Sequence, residues 1–351
     1  MKNFLRILKR IRQSSAPVPA VAAPVAHVVG PGRLHVEHGR LCISADSGRQ
    51  AALNLDALET LVTYGAVEVS PSAWRLLADH GVAVALLSTN GQHLYARLET
   101  TDRSRSLLRV LQHRALWELT TQQRLAARIV KEKVHSQMAA VRHYQRQGRL
   151  EGADILPRLQ DLYERCSSSC SLDELRGLEG AAAQIWYASF GKLIRKPWRF
   201  TRRTRRPPTD PVNALLSLGY TCLYQRTAAL VEAVGLESSL GTLHAFRSGR
   251  LSLACDLMEP LRIAAVDRWL IHTCNQLRYL NPERDFEPDG SGGVKVVVAK
   301  FDEVLAQWER HWYQRDLQVI LDRTVRDFVR QLRELGEYLP GLKKQLEQGE
   351  D

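Results

Sequence analysis

From Arg33 to about Leu98 apolar and polar positions alternate in short runs. A period of two marks half-buried strands, so "RLHVEH" and "LCIS" predict a strand pair around His38-Gly39. "AALNL" and "AVEV" predict two more, and "VAVALLS" with "HLYARLE" predicts a hairpin across Asn90-Gly91. One helix interrupts them at "SPSAWRLLADHG", where Ser70 suits the N-cap, Pro71 the first turn and Gly81 the C-terminal end.

From about Arg103 the period lengthens to that of helices. Leu107, Leu108, Leu111, Leu116 and Leu119, then Leu125, Ile129, Val130, Val134, Met138 and Val141, trace apolar stripes that read as core. "SLDELRGLEGAAAQIWYASFGKLI" opens on a capping box, Ser171 with Glu174. "DPVNALLSLGYTCLYQRTAALVEAVG" has Asp210 as cap, Pro211 at the first position and an end near Gly235. Beyond Ala254, "CDLMEPLRIAAVDRWLIHTCNQL" predicts a helix containing Pro260. "DFEPDGSGGVKVVVAKFDEVLAQWERHW" predicts a loop, a short strand at Val294 to Val298 and the penultimate helix. The fold class expected is α+β, a small N-terminal β-rich domain followed by a larger all-α C-terminal domain that carries the chemistry. The boundaries expected are 1–30 for a basic amphipathic helix and a Pro/Ala-rich linker, 31–100 for the β domain, 101–340 for the helical domain and 341–351 for a tail.

Charge narrows this picture. The 351 residues carry 49 Lys and Arg against 38 Asp and Glu, a net +11 that favours a polyanionic partner. Ribosomal or membrane-surface binding would fit that charge equally well; no apolar run is long enough to span a bilayer, and the partner expected is DNA, with no membrane. Six cysteines without a secretory context fit reduced thiols and a cytoplasmic location, and the lone C-x3-C of Cys166 and Cys170 lacks the second pair that structural zinc needs. No Walker or dinucleotide glycine motif and no G-x-S-x-G elbow is present.

The strongest single charge feature is "KLIRKPWRFTRRTRRPP". Lys192, Arg195, Lys196, Arg199, Arg202, Arg203, Arg205 and Arg206 stand there without an acidic residue, interleaved with Trp198 and Phe200. Such density repels itself unless a polyanion neutralises it, and guanidinium groups suit bidentate phosphate contact. Prolines 197, 207 and 208 make it an arm rather than a helix face.

Acidic residues occur where a basic chain would not be expected to bury them. Glu179 sits among Gly180 and three alanines in a helix that otherwise reads as buried, a costly position unless the charge is paired or coordinated. Taken alone, an ion pair with an arginine accounts for it. Asp256 and Glu259, three apart, lie on one side of a helix and repel unless a cation intervenes. His244 precedes them by one loop. One imidazole with carboxylates from separated helices is a nitrogen and oxygen set that suits Mn2+ and tolerates Mg2+. An ion-pair network without catalysis is the competing account.

Taken in order, "LEGAAAQIWYASF", "RRPPTDPVNALLSLGYTCLY" and "LHAFRSGRLSLACDLMEPLR" with "VDRWL" resemble the CRISPR-associated integrase family that inserts new spacers into a CRISPR array. "SPSAWRLLADHGVAVALLSTNGQHLYARL" is similar to that family's β domain. The resemblance implies a metal-dependent DNA endonuclease and integrase, a homodimer joined largely through its β domains, and assembly with a small CRISPR-associated partner protein that bridges two dimers. It implies Glu179, His244 and Glu259 as ligands of Mg2+ or Mn2+, with Asp256 beside the metal, either joining it or orienting a ligand. Under this reading a prespacer 3′-hydroxyl attacks the repeat phosphodiester, the 192–206 arm binds DNA backbone, and Asn213 and Tyr220, on one helix face, make secondary contacts. A branched-DNA repair nuclease that never integrates and a non-catalytic DNA-binding scaffold are the alternatives.

Overall fold

The computed structural model of the chain describes residues 20–21, 25–45, 50–58, 60–87, 94–98, 103–167, 171–276 and 280–337. The basic N-terminal helix, the Asn90-Gly91 turn, Cys170 and the 341–351 tail lie outside the described residues. Two compact units emerge, one of residues 1–113, 225–238 and 322–351, the other of 114–224 and 239–321. The α+β class expected from the pattern holds, with both larger sheets in the first unit and helices making up most of the second.

In the first unit, strands β1 (Ala20–Val21), β3 (Gly32–Glu37), β4 (Arg40–Ala45), β5 (Gln50–Leu53) and β7 (Val67–Val69) form a sheet of order β1-β5-β4-β3-β7. A second sheet, β2-β6-β8-β9, uses β2 (Val25–Val29), β6 (Thr60–Tyr64), β8 (Ala83–Leu87) and β9 (Leu94–Leu98). The β3–β4 hairpin turns at His38 and Gly39, both at positive φ (50° and 74°), the geometry whose twist matches paired strands. Helix α1 (Pro71–Asp79) starts where the sequence predicts, with Ser70 Oγ accepting from Ala73 N at 3.2 Å and Pro71 at its first turn. Val28, Leu34, Leu41, Leu61 and Leu77 share one apolar core. Ala229 and Ala233 pack with Val62, Tyr64, Ala85 and Leu87 in another.

Two segments differ from the sequence reading. Residues 20–21 and 25–29, assigned by composition to a linker, are strands, and Val25 to Val29 pair in parallel with Thr60 to Tyr64. "TLVTY" carries no alternation because β6 lies between β2 and β8 with both faces covered.

The second unit is built on helices α3 (Leu119–Arg146), α4 (Ile155–Arg165) and α5 (Leu172–Leu193), with α2 (Arg103–Trp117), α6 (Pro211–Ala233) and α10 (Leu317–Glu337) running through the divisions between units. The stripe from Leu125 to Val141 is buried as predicted, whereas Leu119 is exposed because it stands in the first turn of α3. Ser171 and Glu174 close both bonds of the capping box on α5, and Asp210 Oδ1 accepts from Asn213 N at 2.8 Å at the head of α6. Beyond Ala254 the single helix predicted is four pieces: α7 (Ser252–Met258), a 3-10 turn Glu259–Leu261, a π-helical stretch Ile263–Asp267, and α8 (Arg268–Asn275). Pro260 has no N–H for an α-helical ladder, so the helix tightens there and then widens. Strands β10 (Phe286–Pro288) and β11 (Val294–Val296) precede α9 (Val298–Gln314).

Candidate active site

The residues singled out in the sequence lie within the second unit as two groups, Glu179 with Glu259 and His244 with Asp256. Helix α3 packs against both α5 and the Glu259–Leu261 turn, which brings Lys133, Glu179 and Glu259 side by side. Lys133 Nζ pairs with Glu179 Oε1 and lies 2.7 Å from Glu259 Oε2. On the other side of Glu259, Arg262 Nη2 is 2.8 Å from Oε1. Burial alone would raise the Glu259 carboxyl, but the Arg262 guanidinium and the Lys133 ammonium hold it well below the usual carboxylate range.

Lys133 is the functional candidate that sequence reading missed. The signal was present, because a lysine occupies a core position between Val130 and Val134 and is 5% exposed. An aliphatic stem can hide in such a stripe, but its ammonium needs a partner.

His244 enters from the loop between α6 and α7. That loop is anchored through three of its carbonyls: Gln122 Nε2 donates to Thr242 O (3.1 Å), Arg176 Nε to Leu243 O (2.9 Å) and Ser252 Oγ to Ala245 O (3.0 Å). Asp256, fully buried, gathers the rest of it. Its Oδ2 accepts from Thr242 N (2.6 Å) and Leu243 N (3.0 Å), and its Oδ1 accepts from His244 N (3.1 Å) and lies 2.6 Å from His244 Nδ1. An ionised carboxylate only accepts, so Nδ1 carries a proton, and in the neutral imidazole Nε2 then keeps its lone pair. The sequence reading left open whether Asp256 touches a metal or orients a ligand. Its oxygens are taken by these donors, which suits orientation. Gly241 is needed beside it, since a Cβ there would stand 2.8 Å from Asp256 Oδ2.

A second buried network adjoins the first through Arg262. Its guanidinium lies 4.8 Å from the Tyr220 ring centroid, and Arg203 lies over the same ring at 5.6 Å. Tyr220 OH donates to Asp267 Oδ1, Trp186 Nε1 donates to Asp267 Oδ2 (2.7 Å), and Tyr187 and Tyr220 hydroxyls are 2.9 Å apart. Burial pushes the Asp267 carboxyl up to about 6 despite these donors.

The basic arm divides. Lys192, Arg195, Lys196, Arg199, Arg202, Arg205 and Arg206 are exposed. Arg203 is turned inward, donating to Asn213 Oδ1 (2.9 Å) and Ser217 Oγ (3.1 Å). Asn213 is fully buried, with Nδ2 bonded to Arg202 O (2.9 Å) and Asp210 Oδ2 (2.6 Å). Asn213 and Tyr220 therefore brace the arm and the Asp267 network; their polar atoms face the protein. Trp198 and Phe200 anchor the arm too, Trp198 edge-on to Phe286 and Phe200 edge-on to Phe190.

Whether these residues suit a divalent cation can be judged on chemistry. Glu179 and Glu259 already converge on one positive charge, and His244 has its Nδ1 held by a carboxylate. That donor set fits Mg2+ or Mn2+. Among the described residues, however, no three His, Cys, Asp or Glu side chains stand close enough to share an ion as they are placed, the Lys133 ammonium lying between the two glutamates. Also among the described residues, no helix is long and apolar enough to cross a membrane.

Comparison with known proteins gives a consistent family. The model of the CRISPR associated protein Cas1 family matches residues 26–310. A CRISPR-associated endonuclease Cas1 of Thermus thermophilus is 32% identical over 284 residues, covering 80% of this chain and 82% of the relative. One of Rhodospirillum rubrum is 32% identical over 298 residues, 81% of this chain and 84% of the relative. Among solved structures, a chain of a partial Cas6-RT-Cas1–Cas2 complex superposes with a TM-score of 0.74 at 22% identity, covering 88% of this chain and 96% of that one. A casposase bound to its integration product does so at 0.71 and 19% identity, covering 89% and 95%.

Proposed function

Since this chain belongs to the CRISPR-associated Cas1 family, we propose that it is a DNA endonuclease and integrase, with Glu179, His244 and Glu259 as its active site and Asp256 as the residue that positions His244. The observation that carries this reading is the convergence of Glu179 and Glu259, eighty positions apart, on one buried positive charge. The relatives named as endonucleases support the nuclease activity.

Spacer insertion exchanges one phosphodiester oxygen for another: a DNA 3′-hydroxyl attacks the phosphorus and the repeat strand's 3′-oxygen leaves. The protein must therefore hold two DNAs in line and offset developing charge. Glu179, His244 and Glu259 would hold Mg2+ or Mn2+, which supplies Lewis-acid stabilisation of a phosphate oxygen. Asp256 keeps His244 in the tautomer whose Nε2 can act as a ligand. Arg262 keeps Glu259 ionised within a buried site. The exposed residues of the arm, Lys192, Arg195, Lys196, Arg199, Arg202, Arg205 and Arg206, contact the phosphate backbone. A homodimer through the β-rich unit and a small CRISPR-associated partner complete the proposed assembly; a solved neighbour that is a complex containing Cas2 supports the partner.

The test is Glu179→Ala and His244→Ala in a strand-joining assay with free 3′-hydroxyl duplex and a supercoiled repeat-bearing target. Joining is expected to fall by at least about 100-fold, with DNA affinity changed by less than about threefold. Full joining in either variant refutes the site. Cleavage of branched DNA without joined products would assign the repair-nuclease alternative instead.

A further inference from the structure

The proposed chemistry gives Lys133 no role, yet its placement is specific. Its side chain is 6% exposed and both of its acidic partners, Glu179 and Glu259, are proposed metal ligands. A buried ammonium is costly unless its partners are well placed, and a position in the Ile129–Val130–Val134 stripe would otherwise favour an apolar residue. The two glutamates are not equally dependent on it. Arg262 also neutralises Glu259, through the opposite oxygen. Among the described residues, Lys133 is the only cation paired with Glu179.

The charges of this cluster balance: Lys133 and Arg262 offset Glu179 and Glu259. A divalent ion set between the same carboxylates would meet the ammonium at contact range, where unit charges repel by several kcal/mol even at an effective dielectric of about 20. Ion and ammonium therefore exclude each other from the space between the glutamates. We propose that Lys133 is a tethered counter-cation: it holds Glu179 and Glu259 together in the metal-free protein and competes with the divalent ion for them. This inference rests on the metal reading of the site. It adds that the occupied state requires the ammonium to leave Glu179, the partner that has no other paired cation among the described residues.

The experiment titrates full-length protein with Mn2+, following free Mn2+ by electron paramagnetic resonance, for wild type, Lys133→Met and Lys133→Gln. Both variants remove the charge, and Lys133→Gln keeps a donor for the glutamates should the methionine variant fail to fold. Mn2+ affinity is expected to rise at least about tenfold in the variants. Their metal-free thermal midpoints should fall below that of wild type, and Mn2+ should restore them more than it shifts wild type. Affinity unchanged or weakened in the variants, while wild type binds Mn2+, overturns the competition and leaves the metal site standing. No Mn2+ binding by any of the three removes the metal site and this inference with it.

Discussion

Asp256→Asn changes one atom and almost no volume, yet the surroundings of Asp256 leave an amide no good orientation. The carboxylate accepts from Thr242 N, Leu243 N and the Thr242 hydroxyl at Oδ2 and from His244 N and His244 Nδ1 at Oδ1. An asparagine must turn its NH2 to one of these two sides. Facing Thr242 and Leu243, it could donate to the Thr242 hydroxyl but would orphan two buried backbone donors. Facing His244, it would orphan one and could donate to Nδ1, provided the imidazole proton moves to Nε2. The second arrangement is favoured by roughly one buried unsatisfied donor, about 1–3 kcal/mol. The substitution should therefore switch the His244 tautomer and block the very nitrogen that the proposed site needs. The remaining bonds also lose their ionic character and one backbone N–H loses its acceptor, a total of about 3 kcal/mol. For a unit of this size that lowers the thermal midpoint by roughly 6–12 °C. Joining activity should drop by about 10–100-fold, the usual effect of losing a ligand's supporting partner. Long-range 1H–15N spectra of histidine-labelled protein report the tautomer directly. A variant that keeps its proton on Nδ1, or loses neither stability nor activity, refutes the reasoning.

Two other expectations follow from the same geometry. Arg203→Ala should lower stability by about 1–2 kcal/mol through loss of its bonds to Asn213 and Ser217, whereas Arg199→Ala should leave stability unchanged and reduce the slope of log DNA affinity against log salt by about 1; equal salt slopes in the two variants would contradict this division of the arm. Because the Asp267 carboxyl is raised above its unfolded value, the folded state holds its proton more tightly, so its contribution is most favourable below about pH 4 and is lost as pH rises through about 6. Wild type should accordingly lose about 2 kcal/mol relative to Asp267→Asn between pH 4 and pH 7 in urea unfolding, and a pH-independent difference between the two proteins would show that Asp267 does not titrate in this window.

What was legible in the sequence was mostly local. Ser70 with Pro71, Ser171 with Glu174, Asp210 with Pro211 and His38 with Gly39 each satisfy or turn backbone within a few residues, so neighbouring side chains suffice to reveal them. The strands Val25–Val29 and Thr60–Tyr64 depend on each other across more than thirty residues. Parallel pairing has no turn signal, and a strand covered on both faces has no alternation. Preceding prolines and alanines then made a strand resemble a linker. Glu179, His244, Asp256 and Glu259 could be found as charges or an imidazole in conspicuous settings. Lys133 was as conspicuous, a charge in an apolar stripe, but the pairing that gives it meaning spans three elements.

The arm shows why charge density alone misassigns individual residues. Eight basic residues in a short stretch read as eight equivalent phosphate contacts, but a flexible polycation would surrender conformational entropy with each contact it made. Here Trp198 and Phe200 fix the backbone by packing, and Arg203 with Asn213 closes a hydrogen-bonded clamp at the head of α6. One arginine is thus removed from the solvent-facing set, and the others are carried on a backbone whose ordering does not await a ligand. The inward arginine also shares the Tyr220 ring with Arg262, which in turn holds Glu259. Three charged groups and one ring therefore join the arm to the acidic site through contacts of ordinary length. A substitution at Tyr220 must disturb both, so its effects on DNA affinity and on the Glu259 carboxylate cannot be separated as those of Arg199 and Asp256 can.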